Sequence, residues 1–318
     1  MVGLAVGDAL GSPSEFRSRR QILDSFGPDG LTDFVTVNDP RWPKAPAILA
    51  RPYPAGSFTD DTQMSVAVAR ALVDAGRDAD LDATMHAMSA RFVEWSRAPD
   101  NDRFPGETCM TGCTRLQEGV PWREAGVAES KKTGSVMRVA PIGLYYGDDR
   151  DRLLEVARAS SLLTHGHPAA IEGAAAAALL VAMAVQRRPP EEMYRAIMDE
   201  CAPRSTDFAT CLAKLPGMLD EAPERALAEG GLGEAWIAEE AVASALYCFW
   251  RSPDDFERVV LTAVNTDGDS DTIGTLAGAL AGAYNEIRGV PAAWAVRVED
   301  SEGLRSLAED LWRSSRER

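Results

Sequence analysis

Histidine, cysteine and positive charge are the scarce things in this chain. Of 318 residues only 3 are His and 5 are Cys, and 33 Lys and Arg stand against 49 Asp and Glu, a formal net charge of -16. A surface that gathers DNA, RNA or anionic membrane needs clustered Lys and Arg, so this balance argues against such a partner. The cysteines, Cys109, Cys113, Cys201, Cys211 and Cys248, are odd in number and lack framework spacing, which points to reduced thiols. Cys109 and Cys113 share a helix face, but no second pair and no nearby His completes a zinc set. No basic start, apolar run and small-residue cleavage site opens the chain, so a cytoplasmic protein is expected. The most apolar run, Ala169 to Gln186, carries Glu172 and is mostly alanine, and it reads as a closely packed core helix rather than a membrane span.

Also scarce are alternating runs of β-branched residues, the mark of half-buried strands. Apolar positions recur instead at helical spacing, as in Met64, Val68, Ala71 and Leu72, or Leu81, Met85, Met88, Phe92 and Trp95, or Ile237, Ala241, Ala245 and Phe249. The runs stop at Asp74-Ala75-Gly76, Arg188-Pro189-Pro190 and Arg251-Ser252-Pro253. A hydrophobic content of 45% supports a sizeable core. With no internal repeat, the expectation is an all-α, compact, single domain over residues 1–318. Two stretches rich in proline or polar residues, Gly27 to Pro54 and Ser96 to Gly106, are expected as loops, and long loops in compact domains are often functional.

What the chain has in excess is acid, and the acid is placed oddly. In NTDGDSDTIGTLAG, Asp267, Asp269 and Asp271 alternate just before a run built for burial. Capping of a helix over Ile273 to Tyr284 by Ser270 or Asp271 explains one such residue, not three. An EF-hand loop needs Gly where Thr272 stands and Glu where Gly278 stands, and so fails. A hard-cation site of carboxylate and hydroxyl oxygens remains, and it calls for a second acidic cluster. SFTDDTQM supplies one in Thr59, Asp60, Asp61 and Thr62, also at a helix start. Together the two clusters suit one metal site of one or two ions.

Three further stretches carry candidate chemistry. GDALGSPSEF sets Asp8 and Glu15 around Gly7 and Gly11, glycines that permit tight turns and close backbone approach to a ligand; Asp8 as a cap with Glu15 solvated is the equal alternative. KKTGSVMRVAPIGL offers the backbone amides of Gly134 and Ser135 to a phosphate, without Walker or dinucleotide spacing. LTHGHPAA holds two of the three histidines, of which His165, at an expected helix start, has more claim to function than His167.

With FPGETC, these pieces resemble the ADP-ribosylglycohydrolase family, in the family's order and across nearly the whole chain. The resemblance implies an all-α fold with a dinuclear Mg²⁺ or Mn²⁺ centre at the base of a cleft. It implies Thr59, Asp60 and Asp61 as one ligand motif and Asp269, Asp271 and Thr272 as the other, with Asp267 a cap or an outer neighbour. Glu15 and Asp61 would serve catalysis, and Gly106, Gly134, Ser135, Val136, Met137 and His165 would line the ADP-ribose groove. Lys132 and Thr133 depart from the family's glycine-richer run, and the chain begins almost on GDALG where members commonly carry a preceding helical stretch. The implied activity is release of ADP-ribose from an ADP-ribosylated acceptor such as arginine or serine. The competing readings are a non-catalytic ADP-ribose-binding member, a metal-dependent phosphohydrolase and a calcium-stabilised helical interaction protein.

Overall fold

The helical spacing becomes helix nearly everywhere. The structure, a computed structural model, describes residues 1–43 and 53–317. In chain order the α-helices are α1 (Val2–Gly11), α2 (Arg19–Phe26), α3 (Asp60–Ala75), α4 (Leu81–Ser96), α5 (Glu107–Gln117), α6 (Ala140–Tyr145), α7 (Arg150–Leu162), α8 (Pro168–Val185) and α9 (Pro190–Glu200). They continue as α10 (Thr206–Leu212), α11 (Leu215–Met218), α12 (Pro223–Ala226), α13 (Ala238–Arg251), α14 (Phe256–Val264), α15 (Ser270–Gly289), α16 (Ala292–Arg297) and α17 (Ser301–Ser314). Among the described residues, β pairing is confined to isolated bridges, Val127 with His165 and Lys132 with Ile237. The fold is all-α, as expected.

Local chemistry sets the helix ends that matter. α3 starts where Thr59 accepts from the Asp61 amide, and Asp60 and Asp61 in its first turn suit the positive end of the helix. It stops at Gly76, whose φ of 79° a side chain would strain. The cap of α15 is Asp269, which accepts from the Thr272 amide, so neither Ser270 nor Asp271 is the capping residue and the helix begins earlier than Ile273. Residues 27–43 and the stretch between Ser96 and Glu107 lack regular helix, as the loop expectation required; the rest of the first loop, residues 44–52, lies outside the described residues.

The central contact is α1 against α15, and glycine makes it. Gly3, Gly7 and Gly11 recur every fourth residue along α1; Gly3 and Gly7 face Gly274, Gly278 and Gly282 of α15, and Gly11 faces the backbone of Ser270 and Asp271. A Cβ on Gly7 would stand 1.9 Å from the Gly274 carbonyl oxygen, and one on Gly278 would stand 2.3 Å from that of Gly3. Gly7 and Gly11 therefore lie within a helix and admit another helix, rather than forming a turn around a ligand. The consequence is positional: the end of α1, bearing Asp8 and leading to Glu15, is drawn against the start of α15.

Around this pair the apolar faces close into one continuous core that runs from Val2 to Leu311, with a small satellite of Ile22, Leu31 and Trp42. Among the described residues α8 is long and apolar enough to cross a membrane, but 78% of that span is buried inside the fold. It packs on α7, α6, α15 and α13, which its alanine surface permits at close range.

Candidate metal centre and cleft

Asp8 is the hub that joins the two acidic clusters. It is fully buried, and its carboxylate accepts from the Thr59 amide (3.0 Å), the Thr59 hydroxyl (2.9 Å), the Thr62 amide (3.0 Å) and the Thr62 hydroxyl (2.6 Å). One side chain of α1 thus caps the start of α3. The Thr59 hydroxyl also lies 3.3 Å from Asp271 Oδ2, which ties α3 to α15. Asp60 is held separately: its carboxylate accepts from the Gly106 amide at 3.3 Å, where α5 begins.

Glu15, Asp269 and Asp271 then converge, each offering an oxygen, with those oxygens within 4.8 Å of one another. Thr133 donates to Asp269 Oδ2 at 3.0 Å and the Thr272 amide to Asp271 Oδ1 at 3.0 Å. Glu15 Oε2 and Asp61 Oδ2 are buried and have no hydrogen-bond partner among the described residues. Burial pushes the carboxyls of Glu15, Asp60, Asp61 and Asp271 well above the usual range, and the neighbouring carboxylate charges push them further. Burial also raises Asp269, against the bonds it accepts, and raises Asp8 to about 6 although four donors oppose the shift. The five buried acids of the floor, Glu15, Asp60, Asp61, Asp269 and Asp271, two of them with orphaned oxygens, fit divalent cations bound by oxygen.

The cluster floors a cleft of about 180 Å³ that Glu15, Asp60, Asp61, Asp269, Asp271 and Thr272 share with Gly106, Gly134, Met137 and His165. A larger hollow of about 460 Å³ between α1, α15 and α17 is lined mainly by apolar groups such as Leu4, Ile287 and Trp312, and brings no acids together. His165 is buried, and its orientation is fixed from behind. Arg138 Nη2 donates to Thr164 Oγ1 at 2.7 Å, which leaves the threonine proton for His165 Nδ1 at 2.8 Å. This assigns the ring proton to Nε2, which has no partner among the described residues and sits on the cleft wall beside Gly134. Burial, reinforced by the Arg138 charge, holds the imidazole well below its usual pKa and hence neutral.

Not every residue singled out in the sequence reaches the cleft. Ser135 donates to the Ala170 carbonyl at 3.2 Å and Val136 is packed in the core, so neither lines it. Thr59 stands behind the floor, between Asp8 and Asp271. Asp267 faces away and accepts from the Arg19 amide at 2.8 Å, at the start of α2. His167, not His165, marks the start of α8, where it accepts from the Ala169 amide at 3.1 Å. Sequence reasoning missed Thr133 as a donor to Asp269, and Phe16, Phe104 and Trp236 as cleft-lining rings. Thr133 had only its place beside Gly134 to mark it; Trp236 had no local signal at all.

The helical fold and the acid-floored cleft together are those of a helical glycohydrolase. A family model described as ADP-ribosylglycohydrolase matches residues 1–318, and the chain belongs to that family. A protein of Archaeoglobus fulgidus described as uncharacterized is 32% identical, over 98% of this chain and 94% of its own length. The human ADP-ribosylhydrolase ARH3 is 30% identical over 80% of this chain and 78% of its own, and the ADP-ribosylarginine hydrolase Tri1 of Pseudomonas putida is 24% identical over 98% and 76%. A solved ADP-ribosylglycohydrolase-related protein complex superposes with a TM-score of 0.75 at 29% identity, covering 98% of this chain and 95% of that one.

Proposed function

We propose that this glycohydrolase cleaves the glycosidic bond between ADP-ribose and an acceptor side chain such as arginine or serine, at a centre of two divalent cations, Mg²⁺ or Mn²⁺. The observation that carries this reading is the pair of buried, unpartnered carboxylate oxygens, Glu15 Oε2 and Asp61 Oδ2, within one cluster of acids. When bound, the cations supply charge neutralisation and Lewis acidity. Asp60, Asp61, Asp269 and Asp271 would hold them, with Glu15 adding an oxygen beside Asp269 and Asp271, Thr272 at the rim of the set and Thr59 keeping Asp271 in place. Asp61 would take the proton of the attacking water, and the surrounding carboxylates would stabilise positive charge developing at the anomeric carbon. His165 Nε2–H is the unpartnered donor that would orient the ADP-ribose, with Gly106 and Gly134 beside it on the cleft wall, so a strongly acidic chain would meet a diphosphate without a basic surface. A cytoplasmic setting and one domain over the chain suit five free, buried thiols and a family match from end to end.

The test is the product profile of the purified protein with Mg²⁺ or Mn²⁺ and a panel of arginine- and serine-linked ADP-ribose, read by mass spectrometry with an Asp269→Asn control. Free ADP-ribose and an unmodified acceptor support the proposal. AMP with a ribose phosphate left on the acceptor would make the protein a phosphohydrolase, and binding without turnover would make it an ADP-ribose reader.

A further inference from the structure

Strained backbone gathers at the cleft mouth and the proposed chemistry leaves it unused. Phe16, the residue after Glu15, has φ of 60°, a conformation that a bulky side chain rarely adopts. Burial does not account for it, since Phe16 is 45% exposed. Its ring lies instead on that of Trp236, with centroids 5.3 Å apart and planes 20° from parallel. Trp236 is itself presented by a second strained residue, the buried Ala235, with φ of 62°. The loop that carries it is anchored to α13 and to the start of α15, and is braced within itself. Ala235 N donates to Glu240 Oε2 at 3.1 Å, Trp236 Nε1 to Glu234 Oε2 at 3.2 Å, and the Asp269 amide to the Glu234 carbonyl at 2.9 Å. Two loops distant in sequence therefore meet in one stacked pair beside Glu15 and Asp269.

We infer that Trp236 is a positioning residue: through the ring of Phe16 it fixes the strained turn that aims the Glu15 carboxylate at Asp269 and Asp271. The carboxylate cannot fix itself, because Glu15 Oε2 has no partner and its neighbours are acids that repel it. Stacking between rings of separate loops supplies the missing constraint. The inference rests on the reading of the acids as a metal centre, and on nothing about which bond is cut.

Calorimetric titration of the full chain with Mn²⁺ tests it without recourse to turnover. Phe16→Gly removes the ring and relieves the positive φ, so the thermal midpoint holds or rises while Mn²⁺ binds about tenfold more weakly, the scale expected when a neighbour that orients a ligand is lost. Trp236→Ala gives the same loss of affinity, and Trp236→Phe, which keeps a stacking ring, stays within about threefold of the wild type. In a Glu15→Gln background Phe16→Gly adds no further loss. Affinities of Phe16→Gly and Trp236→Ala within about threefold of the wild type overturn the inference, as does a loss that persists undiminished in Glu15→Gln. Should Mn²⁺ binding follow the expected pattern while no ADP-ribose is released from any substrate, the proposed reaction fails and the positioning role of Trp236 stands.

Discussion

Asp61 and Asp8 show how position divides the labour among identical carboxylates. Asp8 accepts four hydrogen bonds and has nothing left to offer a substrate, whereas Asp61 keeps an oxygen free at the cleft floor. Asp61→Asn is therefore expected to fold and to lose turnover by roughly a hundred- to ten-thousandfold, the range a general base contributes, as steady-state kinetics will show. Asp8→Asn should instead destabilise the fold, since an amide cannot accept at both ends from four donors; urea unfolding measures this. His165 depends on its neighbour in the same way. Thr164→Val removes the hydroxyl between Arg138 and the imidazole, frees the tautomer, and should raise KM for the ADP-ribosyl substrate with little change in kcat.

At the level of elements, the seam between α1 and α15 places the chemistry. The acids sit at two helix starts, and the seam sets how far apart those starts lie. Gly7→Ala would force a methyl to 1.9 Å from the Gly274 carbonyl, so the helices must part, at a cost of about 1–3 kcal/mol or more. Equilibrium denaturation should show that loss, and the Mn²⁺ affinity should fall with it. Gly217→Ala, in α11 with nothing near its added methyl, is the matched change expected to leave both unaltered. The helices themselves were legible in the sequence because apolar residues recur with helical period and because Gly76 and the paired prolines end the runs. The acidic floor was legible because two unrelated stretches each crowded more acid than a cap requires. The seam was not: the glycines of α1 read equally as a turn, since a sequence does not show which helix will approach at backbone distance. Trp236 escaped for the related reason that its partner, Phe16, is 220 residues away and neither belongs to a charged pattern.

For the whole molecule, the buried acids make stability depend on pH and metal together. A carboxyl whose folded pKa is raised contributes stability that is complete below its unfolded value and is lost as pH rises through the folded value. For Asp8 that window runs from 3.8 up to about 6, and the other acids of the floor shift in the same direction. The metal-free protein should accordingly become less stable through this contribution as the pH rises across that window. Divalent cations counter the loss because they bind the ionised set, and at a hundredfold excess over Kd they add about 2.7 kcal/mol. The rise in Tm on adding Mn²⁺ should therefore grow from pH 4 to pH 7, and should shrink in Asp269→Asn; a rise independent of pH would place the ion elsewhere.

The central claim is that water attacks the anomeric carbon of ADP-ribose at this acid floor. Turnover of an ADP-ribosylated acceptor in oxygen-18 water, in the presence of Mn²⁺ and with products weighed by mass spectrometry, tests it directly. The account predicts one heavy oxygen in the released ADP-ribose, none in the acceptor, and no release by Asp269→Asn. A heavy oxygen in a phosphate of AMP, or release that Asp269→Asn leaves intact, would contradict it.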